Sequence, residues 1–142
     1  MVPNDLMGAI DYFIFPSLKH GFGGPFNGQK FRQGMFLELV QEIRPSYVVE
    51  TGTYRGTTTA AMAKWTARPV FTIELDGRLY RYSWLRLKNC LNVRTYKGDS
   101  RKILVRLIEE NTLPDGIGLY YLDAHWEEDL PIRKELDLVF TG

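Results

Sequence analysis

Two residues near the carboxyl end of the chain have the types and spacing of a catalytic pair. Asp123 and His125 follow an apolar run at 119–122, which predicts a buried strand. If that strand continues through them, residues i and i+2 point to the same side, and a carboxylate lies beside an imidazole. Such a pair suits a general base with its orienting acid, or two ligands of a metal ion. A hydrogen-bonded histidine in a pocket floor is the alternative for His125.

Carboxylates also follow the three other predicted strands. Glu50 ends the first apolar run, Glu74 ends the second, and Asp99 with Ser100 follows the third. The carboxyl ends of parallel strands meet at one edge of a sheet, so an acid at every strand end predicts a polar pocket there. Glu74 suits both hydroxyls of a ribose, and Asp99 with Ser100 suits an adenine amino group. A solvated strand end is the alternative for Glu74, and a helix N-cap is the alternative for Asp99.

The segment 50–59 reads E-T-G-T-Y-R-G-T-T-T and predicts a tight turn from strand to helix. Gly52 permits the turn, and Gly56 lets the helix start approach a strand or a ligand. The free N–H groups of that helix start attract a negative group. A dinucleotide fingerprint has glycine where Tyr54 stands, so the loop disfavours NAD and favours a smaller ligand that carries a carboxylate. Arg55 is interpreted as a partner for a nearby acid or a substrate carboxylate, or as an exposed loop arginine.

Strands that alternate with helices position these residues. The predicted strands are 47–50, 70–74, 93–96 and 119–122, and helical spacing predicts helices over 6–14, 36–43, 57–67, 80–91, 103–108 and 132–140. The pattern predicts an α/β fold, a Rossmann-like parallel sheet of strand order 3-2-1-4 with helices on both faces. Trp126 is a candidate ring cover, and 127–129 resemble the solvated start of the last helix.

Composition limits the classes of function. A net charge of +1 gives no bulk electrostatic case for nucleic acid or a membrane surface. The single cysteine, Cys90, cannot form an internal disulfide and fits the cytoplasm. The amino terminus lacks both a basic start and a long apolar run, so neither a signal peptide nor a membrane span is expected. Residues 1–33 are predicted to form a separate segment, a short helix and a glycine-rich loop too polar for the core, and 34–142 the α/β domain.

From about Phe36 to Phe140 the motifs, taken in order, resemble those of class I S-adenosylmethionine-dependent methyltransferases. The segment 50–59 resembles the cofactor loop of the cephalosporin-hydroxylase and sugar O-methyltransferase branch. F-T-I-E-L-D, K-G-D-S and Y-L-D-A-H-W resemble the second, third and fourth motifs. The resemblance implies transfer of a methyl group from S-adenosylmethionine to oxygen of a small molecule. It also implies a possible role for Mg²⁺.

The resemblance assigns roles residue by residue. The cofactor-binding set comprises Glu50, Gly52, Thr53, Tyr54, Gly56, Thr58, Glu74, Asp99 and Ser100. Within that set, the loop residues and Glu50 hold the methionine part, Glu74 the ribose, and Asp99 with Ser100 the adenine end. Asp123 faces the methyl acceptor or a magnesium ion, and Asp123 with His125 carries the catalysis.

Methyltransferases of this class normally continue through a fifth strand and a terminal hairpin, whereas this sequence stops after the last predicted helix. We therefore expect a truncated domain, or a sheet that another chain completes. The outer edge of the fourth strand would be unpaired, which predicts a homo-oligomer through that edge, unless Leu6, Ile10, Phe13 and Ile14 cover it. Two other functions are considered: a catalytically inactive cofactor-binding remnant, and an NAD-dependent oxidoreductase.

Overall fold

The computed structural model of the chain describes residues 3–125 and 130–141. These residues form four strands, β1 (Tyr47–Thr51), β2 (Val70–Glu74), β3 (Val93–Lys97) and β4 (Gly118–Leu122). The helices are α1 (Asn4–Ile14), α2 (Lys30–Ile43), α3 (Thr57–Thr66), α4 (Gly77–Leu87), α5 (Ser100–Glu109) and α6 (Ile132–Thr141). Two short 3₁₀ segments, Pro16–Gly23 and Pro25–Gly28, connect α1 to α2.

The strands form one parallel sheet in the order β3-β2-β1-β4, as the sequence predicts. Every strand boundary lies within one residue of its predicted position. The register places Glu50 of β1 opposite Thr72 of β2 on one side and Tyr121 of β4 on the other. β1 and β2 are buried along their whole length, which explains why apolar residues predominate in both, with Thr51, Thr72 and the two acids as buried polar residues.

The sheet carries a hydrophobic cluster on each face. Val49, Phe71 and Ile73 pack with the buried side of α5 on one face. Val48 and Val70 pack with α3 and with aromatic residues from the amino-terminal part of the chain on the other. Because successive strand residues point to opposite faces, neighbouring valines in β1 serve the two clusters.

Helix α1 packs against α4 through its small and polar residues. A Cβ on Gly8 would lie 2.1 Å from the Arg78 carbonyl oxygen, so only glycine allows this approach. Asp11 forms a bidentate ion pair with the Arg78 guanidinium at 2.5 and 2.8 Å, which lowers the pKa of that carboxyl. The alternative that the apolar stripe of α1 covers the edge of β4 is not realised, because α1 packs against α4. The four side chains of the stripe are exposed, in order Leu6 53%, Ile10 37%, Phe13 63% and Ile14 64%.

The glycine-rich loop contributes to the core, contrary to the sequence-based expectation. Phe26 is only 2% exposed, and its ring packs against Phe36, Trp65 and Tyr121. Its N–H donates to the Thr58 hydroxyl of α3 at 2.9 Å. The expectation failed because one aromatic residue in a polar segment is enough to fill a gap beside the sheet.

None of the helices within the described ranges has the length and hydropathy needed to cross a lipid bilayer.

Candidate functional site

A cavity of about 590 Å³ opens at the carboxyl ends of the strands, within the range typical of small-molecule sites. All four strand ends contribute to its wall, together with the β1–α3 loop and parts of the 3₁₀ segments. The predicted residues that line it are Glu50, Gly52, Thr53, Tyr54, Thr58, Glu74, Asp99, Ser100, Asp123 and His125. Gly56 is the exception. A Cβ there would lie 3.0 Å from the Leu87 side chain, so this glycine serves the packing of α3 against α4.

Glu50 is a buried acid in the floor of the cavity, with 1% of its surface exposed. Its Oε2 accepts hydrogen bonds from the hydroxyls of Thr59 and Thr72, the latter at 2.6 Å. The Thr72 hydroxyl is 2.5 Å from that of Thr53, so Thr53 donates to Thr72 when Thr72 donates to Glu50. Burial raises the pKa of Glu50 to about 8, and the two hydroxyl donors oppose that shift. The site therefore holds an acid that would gain from a nearby cation.

Glu74 is held in place by backbone donors. Its Oε2 accepts the Tyr54 N–H at 2.7 Å and its Oε1 accepts the Asp76 N–H at 2.9 Å. The carboxyl is 6% exposed, and burial raises its pKa while these bonds oppose the rise. A carboxylate oxygen has two acceptor positions, so each oxygen keeps one for a ligand. Glu74 thus presents two fixed acceptors, which is what a pair of vicinal hydroxyls requires.

The turn after β1 depends on glycine because of its backbone and its neighbours. Gly52 has φ of +83°, and a Cβ there would lie 2.7 Å from the Asp123 carbonyl oxygen. The N–H groups of Gly52 and Thr53 both donate to the Ile73 carbonyl, at 2.9 and 3.2 Å. Those two donors are therefore used within the protein. The donors left for an anionic group are at the start of α3, which has no side-chain cap and lines the cavity at Thr58.

Asp99 is the N-cap of α5, as one of the two interpretations of the sequence proposed. Its Oδ1 accepts the Arg101 N–H at 2.9 Å, and its Oδ2 lies 2.5 Å from the Arg101 guanidinium. This guanidinium holds the pKa of Asp99 below its usual range. Asp99 and the buried Ser100 also line the cavity. The capping role of Asp99 therefore does not prevent either residue from contacting a ligand.

Asp123 and His125 lie at the cavity but not on a strand. β4 ends at Leu122, as the predicted strand 119–122 does, so the condition that the strand continues through Asp123 and His125 is not met. Asp123 N–H still donates to the Thr51 carbonyl at 3.0 Å, and the turn at Gly52 then takes β1 out of the ladder. His125 Nδ1 is 3.0 Å from the Asp123 carbonyl oxygen. Since a carbonyl only accepts, the proton of a neutral imidazole is on Nδ1, and Nε2 is the free base.

Among residues 3–125 and 130–141, no three His, Cys, Asp or Glu side chains are grouped to hold a metal ion. Asp123, the predicted ligand, is exposed at the cavity. The metal interpretation therefore depends on Asp123 alone. The predicted ring cover Trp126 and the predicted helix start at 127–129 lie outside the described residues.

The structure adds residues that the sequence did not single out. Phe22 of the amino-terminal segment lines the cavity, and so does Tyr121 of β4. Tyr121 of β4 pairs in register with Glu50 of β1. Its position beside that acid could therefore be inferred once the strand order was known. Burial raises the pKa of Tyr121. Arg55, whose guanidinium lies 4.9 Å from the Tyr54 ring centroid, places a cation at the same wall.

Glu135 of α6 was also missed. It is wholly buried, its Oε2 accepts the Thr51 hydroxyl at 3.3 Å, and the Ser100 hydroxyl faces it. Burial raises its pKa, and the two hydroxyls oppose the rise. No local signal identifies this residue, since a glutamate in an amphipathic helix normally faces solvent.

Comparisons with solved structures match the fold. The O-methyltransferase TomG from Streptomyces achromogenes, involved in tomaymycin synthesis and solved with SAM, superposes with a TM-score of 0.61 at 18% identity over 99% of this chain. An O-methyltransferase from Bacillus cereus solved with SAH gives 0.62 at 17% identity over 96% of this chain. The protein cmcI solved with Mg and SAM gives 0.50 at 21% identity over 70%.

This chain spans 60%, 66% and 43% of the lengths of those three chains. No protein-family model matches the sequence, and no curated protein matches it. The chain therefore has the Rossmann-like α/β fold of these solved structures, with its cavity at the carboxyl ends of the parallel strands.

Proposed function

We propose that this chain binds S-adenosylmethionine and transfers its methyl group to an oxygen of a small molecule. One observation carries the proposal: Glu50 and Glu74 stand at the ends of adjacent central strands, on either side of the Gly52 turn, in one cavity. Two of the chains with this fold, TomG and the Bacillus cereus enzyme, are O-methyltransferases solved with SAM or SAH, which supports it.

The residues of the cavity fit the parts of such a cofactor. Glu74 offers two acceptors to the ribose hydroxyls, and Ser100 with Asp99 stands at the adenine end. Glu50 offers its carboxylate to the ammonium group, and the uncapped start of α3 offers N–H donors to the carboxylate. When bound, the cofactor supplies a methyl group on a positively charged sulfur.

The acceptor side is formed by the exit of β4. His125 Nε2 is placed to take the proton of an acceptor hydroxyl while that oxygen bonds to the methyl carbon and the carbon–sulfur bond breaks. Tyr121 and Asn27 line the same cavity and would orient the acceptor. Placing the hydroxyl in line with the methyl group does most of the work in such a transfer.

Calorimetry with S-adenosylhomocysteine tests the proposal directly. We expect saturable binding to the purified chain and no binding of NAD, because Tyr54 occupies the place of the fingerprint's second glycine. Repeating the titration with Mg²⁺ tests whether Asp123 takes part in a metal site. Saturable binding of NAD with none of S-adenosylhomocysteine would refute the proposal.

Alanine at Asp123 or His125 is expected to spare cofactor binding and to abolish turnover. Both residues line the cavity at the exit of β4, on the proposed acceptor side. The affinity for S-adenosylhomocysteine should stay within about twofold of the parent, since no hydrogen bond to the cofactor is removed. An affinity loss as large as that of Glu74→Ala would instead assign these residues to the cofactor site.

A cofactor-binding module without activity is the second candidate. It is favoured by the difference between the two sides of the cavity: Glu50 and Glu74 are buried and held by hydrogen bonds, whereas Asp123 and His125 are exposed. Tight binding of S-adenosylhomocysteine without methyl transfer to any hydroxyl acceptor in a broad panel would support it over catalysis.

A further inference from the structure

Helix α6 buries an acid and exposes its apolar side chains. Glu135 has no exposed surface, whereas Ile132, Leu136 and Phe140 are 45%, 41% and 82% exposed. Glutamate is almost never fully buried unless it has partners, so its position inside is informative. On its inner side the helix places Glu135 beside Leu138, which packs against the core, so the contacts of this glutamate help to hold the helix in place.

The contacts of Glu135 come from two different strand ends. Oε2 accepts the hydroxyl of Thr51 at the end of β1, at 3.3 Å. The hydroxyl of Ser100, the first residue of α5 and part of the cavity wall, faces the same carboxyl. Oε1 is buried with no group at hydrogen-bonding distance within the described residues. A buried acid with one unsatisfied oxygen costs free energy, so the hydrogen bond to its other oxygen is the contact that fixes this side chain.

Thr51 also forms hydrogen bonds with the segment that follows β4. Its hydroxyl oxygen accepts the Ala124 N–H at 3.3 Å, and its carbonyl accepts the Asp123 N–H at 3.0 Å. Because the hydroxyl proton points to Glu135, the oxygen lone pairs are turned toward Ala124. The main chain between Asp123 and His125 is therefore fixed from below by a chain of two hydrogen bonds that ends at Glu135.

We infer that Glu135 is a positioning residue that supports both halves of the site from beneath. It holds Ser100 at the cofactor's adenine end, and through Thr51 it holds the segment that carries His125. This inference rests on the proposed function, since it assigns the two halves to cofactor and acceptor. It makes α6 the element that keeps the two subsites in a fixed relation.

The experiment compares Glu135→Ala and Glu135→Gln with Asp137→Asn, a control at an exposed acid of the same helix. The chain has two histidines, His20 and His125. In the spectrum of His20→Gln, the one ring Cε1–H signal that remains therefore belongs to His125. Glu135→Ala should move the His125 signal without ligand and weaken S-adenosylhomocysteine binding by about tenfold. Glu135→Gln retains an acceptor oxygen and should match the parent in both readouts, as should Asp137→Asn.

Two further variants separate the branches. Thr51→Val removes the link to the β4 exit and should move the His125 signal while keeping the affinity within about twofold. Ser100→Ala should weaken binding and leave the His125 signal in place. These variants keep the inference testable if Glu135→Ala does not fold.

The outcomes are distinct. A folded Glu135→Ala with the parent's affinity and His125 signal would overturn the inference, and so would a Glu135→Gln that fails as badly as alanine. If the parent does not bind S-adenosylhomocysteine, the proposed function is wrong. The positioning claim is then decided by the ligand-free His125 signal alone.

Discussion

At the scale of single residues, the site is built on acids whose partners are neutral donors. Glu50 accepts hydroxyls from Thr59 and Thr72, and Glu74 accepts two backbone N–H groups. Neither acid has a cationic side chain at ion-pair distance among the described residues. These hydrogen bonds fix the orientation of the two carboxyl groups, but no cation neutralises them. A cationic ligand would supply the missing charge, and a ligand rich in hydroxyls would supply further hydrogen-bond donors.

Glu50→Gln should stabilise the ligand-free protein in a pH-dependent way. The folded pKa of Glu50 is raised to about 8 from 4.5, so the folded state binds an additional proton between those values. The parent therefore loses stability as the pH rises through this window, by at most about 1.4 kcal/mol per pH unit from this group. Glutamine keeps an acceptor for the threonines and does not titrate.

The check is urea unfolding of parent and variant at pH 5, 6.5 and 8. The advantage of Glu50→Gln should be small at pH 5 and largest at pH 8. Glu109→Gln, at an exposed position, is the control and should show no such trend. An advantage that is equal at all three pH values would show that Glu50 does not titrate in this window.

Glu74→Ala should weaken S-adenosylhomocysteine binding by roughly 1–3 kcal/mol, the cost of leaving buried hydroxyls without a charged acceptor. Because the variant also frees the Tyr54 N–H, part of the loss would come from a less ordered loop. Titration calorimetry on Glu74→Ala beside the exposed control Glu42→Ala measures the difference. Equal affinities in the two variants would remove the ribose assignment.

The acids at the strand ends were predictable because strand order and parallel pairing alone place them at one edge. The contribution of Glu135 was not predictable, since helical periodicity marks Leu136 and Phe140 as the inner residues, and the structure exposes both. Tyr121 was hidden for a related reason. A tyrosine inside an apolar run indicates core packing, and its place beside Glu50 follows only from the register.

At the scale of elements, the turn between β1 and α3 and the exit of β4 form one unit. The Gly52 position touches the Asp123 carbonyl and the Ala124 nitrogen so closely that a side chain cannot enter without displacing the β4 exit. The sequence predicted the turn and its glycine requirement. It attributed that requirement to backbone angles and ligand space, whereas contact with a second strand end adds a cause that only the fold reveals.

Gly52→Ala should therefore lower both stability and cofactor affinity. The backbone angle is unfavourable for alanine, and the displaced Asp123 carbonyl adds to the cost, for a total of about 2 kcal/mol or more. Gly34→Ala is the matched control, because it lies within α2 with nothing within 4 Å of the new Cβ, and it should gain about 0.5–1 kcal/mol. Urea unfolding measures the change in stability, and calorimetry measures the change in affinity for S-adenosylhomocysteine. Equal changes in Gly52→Ala and Gly34→Ala would refute this account.

At the scale of the whole molecule, β4 pairs with β1, and no strand within residues 3–125 and 130–141 pairs with its other edge. Helix α6, which follows β4 in the chain, exposes Leu136 and Phe140. An unpaired edge of this kind favours pairing with another chain. We propose that the 142-residue chain self-associates through this side.

Light scattering across a dilution series should show species larger than the 16.4 kDa monomer. Phe140→Glu, which replaces an 82% exposed apolar side chain of α6 with a charge, should shift the series toward monomer. Phe31→Glu is the control, since Phe31 is 79% exposed and belongs to α2. A monomer at all concentrations, or an equal response to both substitutions, would contradict the proposal.

The docking of Phe26 has an optical consequence. Its ring lies parallel to the half-buried Trp65 indole, at 6.0 Å between centroids and 2° between planes. Indole emission depends on the polarity of its surroundings, and the amino-terminal segment supplies part of that surrounding. The emission wavelength of Trp65 therefore reports whether the amino-terminal segment, which carries the cavity-lining residues Phe22 and Asn27, is packed against the domain.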